Sequence, residues 1–295
     1  MSRPWIPKSR AAAFVWIVAG YLAGGLAGWA AAAALDGAPA WQRVAAADLA
    51  ATLVVFVFSV LFDNSSFYDP YWSVAPIPIV IWLGLDASAP FARRLAVIVL
   101  VTAWGLRLTW NWARGWAGFH HEDWRYVDYR EKTGKGYWFV SLFGLHLMPT
   151  ITVGLGMLSF LPSLSAGRAL GPLDALGALI TGTAIYLEAT ADAQLRAFRK
   201  KKQPAGVICT EGLWAYCRHP NYLGEVTFWW GLFVFGLAAN PSAWWWTLPG
   251  PLWITTMFLS ISIPLIDRRS IARRPGYADH IKRIPALFPV RLGKH

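Results

Sequence analysis

The chain has 295 residues, of which 56% are hydrophobic and only 15% charged. A soluble domain carries about a quarter charged residues, so this composition, with a mean hydropathy of +0.39, excludes an ordinary soluble fold. The formal net charge of +11 does not argue for nucleic acid, because the basic residues stand at the ends of apolar runs, where they meet the membrane surface.

Eight apolar segments follow one another, at about 11–35, 45–62, 71–85, 95–113, 137–163, 172–195, 222–239 and 243–266. At roughly 20 apolar residues per crossing, they predict an all-α, polytopic membrane bundle of seven or eight transmembrane helices. The first segment is too long for the apolar part of a removable signal. The third is short and interrupted by Pro76 and Pro78, and the last two, parted by Ala239–Ser242, form a tight helical hairpin. Numbering the connections alternately puts 22 of the 27 Lys and Arg on the side of the N-terminus and 4 on the other, with Arg107 inside a span. That asymmetry places both termini in the cytosol. Residues 1–44 read as an extra N-terminal helix, and 45–295 as one membrane domain.

Two cysteines, Cys209 and Cys217, are too few for a disulfide framework. They flank a basic cytosolic loop, where thiols stay reduced. Neither a Walker loop nor a dinucleotide glycine fingerprint occurs, so any nucleotide site must be built from membrane helices.

Chemistry-bearing residues gather toward the cytosolic face. Asp69 and Tyr71 precede the third span, and a carboxyl and a phenol there suit the polarisation of a substrate carbonyl. Arg107 needs a partner, a cavity or a bound anion. In the loop after the fourth span, His120, His121, Glu122 and Asp123 lack the spacing of a metal site and read as a solvated loop or lid. Glu188, Asp192, Arg196 and Arg199 recur at helical spacing and form one stripe, acidic within the membrane and basic at its surface. A dinucleotide asks for that order: acceptors for ribose and amide groups, then cations for phosphates. A snorkelling helix end is the plainer reading of the stripe. In Arg218-His219-Pro220-Asn221-Tyr222-Leu223-Gly224-Glu225, Pro220 suits the first turn of a helix. The N–H groups of Asn221 to Leu223 would then face an anion beside Arg218. Asn221 and Glu225 share a face, and Glu225 sits about one turn into an apolar span, where an ionisable group is a functional candidate. A basic tail with Pro275-Gly276-Tyr277 can fold back as a short helix.

At these residues the chain resembles the steroid 5-alpha-reductase superfamily, in a bacterial branch. The likeness rests on the stretch from Gly212 to Glu225, on Glu188 to Phe198, on Glu122-Asp123-Trp124-Arg125-Tyr126 and on Pro275-Gly276-Tyr277, and it covers roughly residues 60–290. It implies a multi-pass, NADPH-dependent reductase of the cell inner membrane, acting on a carbon–carbon double bond conjugated to a carbonyl in a lipophilic, steroid-like or isoprenoid substrate. Carried over by motif position, Asp192, Arg196, Arg199, Arg218, His219, Asn221, Tyr222, Glu225 and Tyr277 would hold the cofactor. Asp69, Tyr71 and Glu225 would be the catalytic candidates, with no metal. The partners expected are the lipophilic substrate and membrane lipid, with neither nucleic acid nor an obligate protein. The chain departs from the steroid enzymes in lacking their Gln-Glu pair near Asp69, and in carrying Glu188 where they have Asn. A methyltransferase of the isoprenylcysteine or phospholipid type, using S-adenosylmethionine, is the alternative enzyme. It shares the Arg-His-Pro core but usually carries two adjacent glutamates, where this chain has Asp267-Arg268-Arg269. A transporter or lipid-binding scaffold is the non-enzymatic alternative, and it would show paired broken helices or an internal repeat.

Overall fold

The computed structural model describes residues 5–85, 88–201, 203–204 and 206–288. Arg3, Lys202, Arg291 and Lys294, counted in the charge asymmetry, lie outside them. In chain order the helices are α1 (Arg10–Ala34), α2 (Ala40–Leu61), α3 (Tyr71–Val74), α4 (Pro76–Leu85), α5 (Phe91–Gly115), α6 (Trp124–Thr133), α7 (Tyr137–Val140), α8 (Met148–Leu158), α9 (Leu161–Ser165), α10 (Pro172–Lys200), α11 (Pro220–Ala239), α12 (Trp244–Thr247), α13 (Pro249–Met257), α14 (Ile263–Arg273) and α15 (Tyr277–Arg283). Widened, π-helical turns at Ser141–Leu147 and Phe258–Ser262 join neighbouring helices into the longer rods Trp124–Leu158 and Pro241–Arg273.

Among the described residues there is no strand. Five helical stretches are long and apolar enough to cross a membrane: α1, α2, Trp124–Leu158, α11 and Pro241–Arg273. The remaining segments expected to span have physical reasons to fall outside that set. Helix α4 has only 10 residues. Helix α5 contains Arg93, Arg94, Arg107 and Arg114, and α10 contains the acidic and basic stripe. The third apolar segment is two abutting helices, α3 and α4, because Pro76 opens a new first turn where its missing N–H costs little.

The chain divides into two compact units, Met1–Asp86 with Trp104–Gly154, and Ala87–Ala103 with Leu155–His295. In the first, α1 packs along α2 through small residues one turn apart. A Cβ on Gly24 would lie 3.3 Å from the Ala51 carbonyl, and one on Gly28 would lie 2.7 Å from that of Ala47. Close approach of backbones through small residues is how helices associate in lipid, where apolar burial gives no drive. The first helix, expected as an addition before residue 45, packs on α2 within this unit. Its aromatic core joins Phe62, Phe67, Tyr68, Tyr71, Trp116 and Phe119.

The second unit is built on α10 against α11. Gly177 receives the Phe235 ring, Gly231 the Thr181 backbone, and Gly224 the Ala184 carbonyl and Glu188 Cβ. An outer corner is fixed by Arg93, 1% exposed. Its guanidinium donates to Asp174 Oδ1 at 2.6 Å and Oδ2 at 2.9 Å, and to the carbonyls of Arg168 and Ala169 at 2.7 and 3.1 Å. Asp174 also accepts from the Gly171 N–H at 2.9 Å, capping α10.

Candidate functional site

Helix α10 runs unbroken for 29 residues, so Glu188, Asp192, Arg196 and Arg199 lie on one stripe as their spacing requires. Glu188 and Asp192 are buried, Arg196 is half-buried and Arg199 is exposed. Along the helix the two acids are thus enclosed by protein and the last base is open. The close approach at Gly224 sets the Glu188 backbone against α11, with a would-be Cβ only 2.6 Å from Glu188 Cβ. Glu225 follows directly. It is buried and accepts a hydrogen bond from Trp229 Nε1 at 2.9 Å.

The loop between these helices is docked on α10 by a 3₁₀ turn, Gly212–Ala215. Gly212 has φ +58°, in the left-handed region, and its open Cα leaves space for the Gln194 amide. Gln194 Oε1 accepts from Leu213 N–H at 2.9 Å, and Trp214 Nε1 donates to the Ala191 carbonyl at 3.0 Å. Trp214, Cys209, Phe198 and Ala191 close a small apolar cluster there. Cys209 and Cys217 are free thiols, and burial pushes the Cys217 thiol up to about 11.

Pro220 is the first residue of α11, as its chemistry predicts. Of the three N–H groups expected to face an anion, that of Leu223 is committed to the His219 carbonyl at 3.0 Å, the first bond of the helix. The residues before Pro220 form a hub around Asp267. Asp267 Oδ2 accepts from Arg218 Nη2 at 2.7 Å, and Oδ1 meets His219 Nε2 at 3.0 Å and the Tyr277 hydroxyl at 3.1 Å. Arg218, His219, Asp267, Tyr277 and His280 are all buried. Arg218 Nη1 donates to the carbonyls of Ile281 and Ile284, while the Arg218 and His219 N–H groups donate to the Pro285 and Ala286 carbonyls at 2.9 and 3.1 Å. The tail folds back as the short helix α15 and is held on this motif. Leu287 enters an apolar cluster with Val226 and Ile263.

Most of the Arg218 fork is therefore engaged by Asp267 and the tail. Its Nε is buried and has no hydrogen-bond partner among the described residues. Burial and then Asp267 push the Tyr277 hydroxyl up to about 12. Burial, with Arg218 and Arg283 nearby, holds the His280 imidazole below its ordinary range. Tyr222 stacks on the His219 ring, with centroids 5.4 Å apart, and Asn221 is half-buried beside it in sequence. Arg199 is exposed over much of its surface, but partial desolvation of its guanidinium by the surrounding protein, and then the like charge of Arg274, push its pKa down. Arg274 is positioned by a bond to Ser270 Oγ at 3.0 Å, and Pro275 after it packs on Gly206.

Asp69 and Tyr71 belong to the first unit, and all the cofactor candidates belong to the second. Asp69 Oδ1 accepts from the Tyr126 hydroxyl at 2.6 Å. Burial pushes the Asp69 carboxyl up to about 6, against the pull of Arg125 and of the Tyr126 hydroxyl. The Tyr71 hydroxyl donates to Asp48 Oδ1 at 2.8 Å, so its hydrogen is committed inside α2. Glu122 and Asp123 are accounted for by the fold of the loop. Glu122 accepts from the Ser65 N–H at 2.7 Å and pairs with Arg130 at 2.8 Å, while Asp123 caps α6 through the Arg125 N–H at 2.9 Å.

Residue-type reasoning missed Asp267 as the organiser of the hub, Tyr126 as the partner of Asp69, and Arg274 beside Arg199. A signal existed for the first: an acid at the cytosolic end of an apolar run, directly before two arginines.

No solved structure matches this chain. It is similar to an uncharacterized protein of Schizosaccharomyces pombe, 26% identical over 270 residues, which cover 82% of this chain and 77% of the relative. The family described as "Protein of unknown function (DUF1295)" matches residues 55–284, and the chain belongs to that family.

Proposed function

We propose that this protein is a membrane-embedded reductase that uses NADPH to reduce a carbon–carbon double bond conjugated to a carbonyl in a lipophilic substrate, steroid-like or isoprenoid. The observation that carries the reading is the graded stripe of α10, running from buried Glu188 and Asp192 to exposed Arg199, beside a helix start that holds Arg218 and Asn221. Membership of DUF1295, a steroid 5-alpha-reductase-like family, supports it. The residues fit a dinucleotide phosphate. Arg199 and Arg274 are two like charges held near one another at the rim, an arrangement that a bound anion would relieve. The buried Nε of Arg218 supplies a further N–H. NADPH, when bound, supplies the hydride. Asp192 and Glu225 are the acceptors for its ribose and amide groups, Arg196, Arg199 and Arg218 the phosphate partners, and His219, Asn221, Tyr222 and Tyr277 the surrounding shell. Asp69, held by Tyr126, and Tyr71, which would have to turn its hydrogen away from Asp48, are the candidates for polarising a carbonyl. Seven or eight spans with cytosolic termini, an inner-membrane location and a bacterial branch of the superfamily complete the proposal.

The test is the melting temperature of detergent-purified protein with NADPH, NADH, S-adenosylmethionine or no ligand. A ligand at 100 times its dissociation constant stabilises by about 2.7 kcal/mol. NADPH should raise the melting temperature and Asn221→Ala should reduce that shift. A shift with S-adenosylmethionine instead makes the same motif a methyl-donor site and overturns the reductase.

A further inference from the structure

The first unit contains a buried file of hydroxyl groups that ends on a histidine, and the reductase reading uses none of it. Ser59 on α2, Ser141 and His146 in the widened turn Ser141–Leu147, and Ser65 before α3 are 0% exposed, and Tyr137 is 3% exposed. From the loop inward, Glu122 Oε1 accepts from the Tyr137 hydroxyl at 3.3 Å, and that hydroxyl meets Ser65 Oγ at 2.6 Å. Ser65 Oγ meets Ser141 Oγ at 2.8 Å, and Ser141 Oγ lies 3.4 Å from His146 Nδ1. His146 Nε2 meets Ser59 Oγ at 2.9 Å. His146 stands nine residues past Tyr137 in an apolar rod, about 14 Å along it at 1.5 Å per residue.

A histidine at that depth is costly and is a functional candidate by default. The local backbone is also unusual: a π-helical turn inside a long helix often marks a functional position. The hydrogen-bond partners add a third argument. The Ser141 carbonyl lies 2.9 Å from Nδ1, and the Val55 carbonyl 3.1 Å from Ser59 Oγ. A carbonyl only accepts. In the major neutral tautomer Nδ1–H donates to the Ser141 carbonyl and Nε2 accepts the Ser59 O–H. In the charged ring Nε2–H donates to Ser59 Oγ, whose own O–H turns to the Val55 carbonyl. Both protonation states are fully bonded by the same atoms, so neither leaves an orphaned polar group in the span.

We propose that His146 is a proton-exchange site within the membrane, connected to Glu122 through Ser141, Ser65 and Tyr137. Uptake starts from the minor neutral tautomer, in which Nε2–H donates to Ser59 Oγ and Nδ1 accepts from Ser141 Oγ at 3.4 Å instead of donating to the Ser141 carbonyl. A proton on Glu122 passes to Tyr137, and each hydroxyl takes one proton and gives one until Ser141 delivers to Nδ1. The product is the imidazolium. Discharge reverses the sequence, and no electrons move. The groups facing this file are few. Phe56 and Tyr68 pack on the His146 ring, with centroids 5.2 and 4.8 Å away. At the mouth, Arg130 pairs with both Glu122 and Asp63 and lies 4.0 Å from the centre of the Tyr137 ring. The use of the site, to supply the proton that accompanies hydride in a reduction, rests on the reductase reading; the exchange itself does not.

The test uses the full chain in lipid nanodiscs, with ¹⁵N-labelled histidine rings and no NADPH, so failure of cofactor binding leaves it intact. His146→Asn identifies the resonance. Its ring nitrogens should move between neutral and charged signatures as the pH is lowered from about 8 to about 3. Exchange of the ring hydrogen with deuterated solvent should slow by about tenfold or more in Ser141→Ala and in Tyr137→Phe, and stay unchanged in Thr52→Val, which lies off the file. A ring fixed in one protonation state across that range overturns the proposal. So does an exchange rate that is the same in both file variants as in the parent.

Discussion

Arg93 and Arg218 are each buried against an aspartate, yet they are finished differently. Arg93 bonds through all three of its guanidinium nitrogens, with a two-point pair to Asp174 and two carbonyls beyond it. Arg218 gives one nitrogen to Asp267 and another to the carbonyls of the tail, and keeps a buried Nε without a partner among the described residues. Asp267 is shared as well, by His219 and Tyr277. A guanidinium whose donors are all used is a fastener. One held in place with a donor to spare is both a fastener and a place for a ligand. The distinction separates structural from functional arginines in a membrane protein, where each is expensive to bury.

The largest effect that tests this contrast is the loss of a fastener. Arg93→Ala leaves Asp174 buried and uncompensated, and should cost about 3–5 kcal/mol. It should lower the melting temperature in detergent while the NADPH-induced shift of the surviving protein is kept. If Arg93→Ala abolishes the NADPH shift and Arg218→Ala does not, the contrast is reversed.

Next in size is Asp267→Asn, which keeps the shape of the hub but removes its charge. A cost of about 1–3 kcal/mol is expected, with faster protease cleavage of the tail beyond Arg274. Equal cleavage in parent and variant would mean that the tail is held by Leu287 and the main-chain bonds alone.

Smaller in stability, but sharper in function, is Arg199→Ala. It changes an exposed residue, so melting without ligand should move by less than about 0.5 kcal/mol. The NADPH shift should nevertheless shrink, and Arg274→Ala should behave alike. A full NADPH shift in both variants removes the rim from the cofactor reading.

The last test is a pH dependence in the first unit. The Asp69 carboxyl is raised from 3.8 to about 6, so the folded protein holds a proton that the unfolded chain gives up. That contribution is fully present below about pH 4 and is lost as pH rises through about 6. Stability measured across that window should fall less in Asp69→Asn than in the parent, and parallel curves would show that Asp69 titrates normally.

Much of this architecture is written in local pattern. Pro220 marks the start of α11, Asn240-Pro241 the turn of the hairpin, and positions 188, 192, 196 and 199 announce one stripe by their period. These features need only the residues themselves. What escapes is contact between distant positions. Nothing in the chain says that Arg93 meets Asp174, or that Arg218 meets Asp267. The motif around Arg218 suggested a phosphate ligand, yet most of its donors serve the tail, because folding brings carbonyls to a guanidinium that sequence shows only as a charge. The widened turn at Ser141–Leu147 is equally silent. Its composition is ordinary, and the contacts of His146 with Ser59, Phe56 and Tyr68 join positions far apart in the chain.

The tail contacts also impose an order in time. Arg218 and His219 donate to carbonyls at residues 281–286, which are synthesised after every other part of the hub. Helices α10 and α11 can form while translation continues, but the motif before Pro220 stays half-made until residues 281–286 leave the ribosome. A chain cut short before Ile281 would carry all five candidate spans and still lack a finished hub, so the hub forms only once residues 281–286 have been translated.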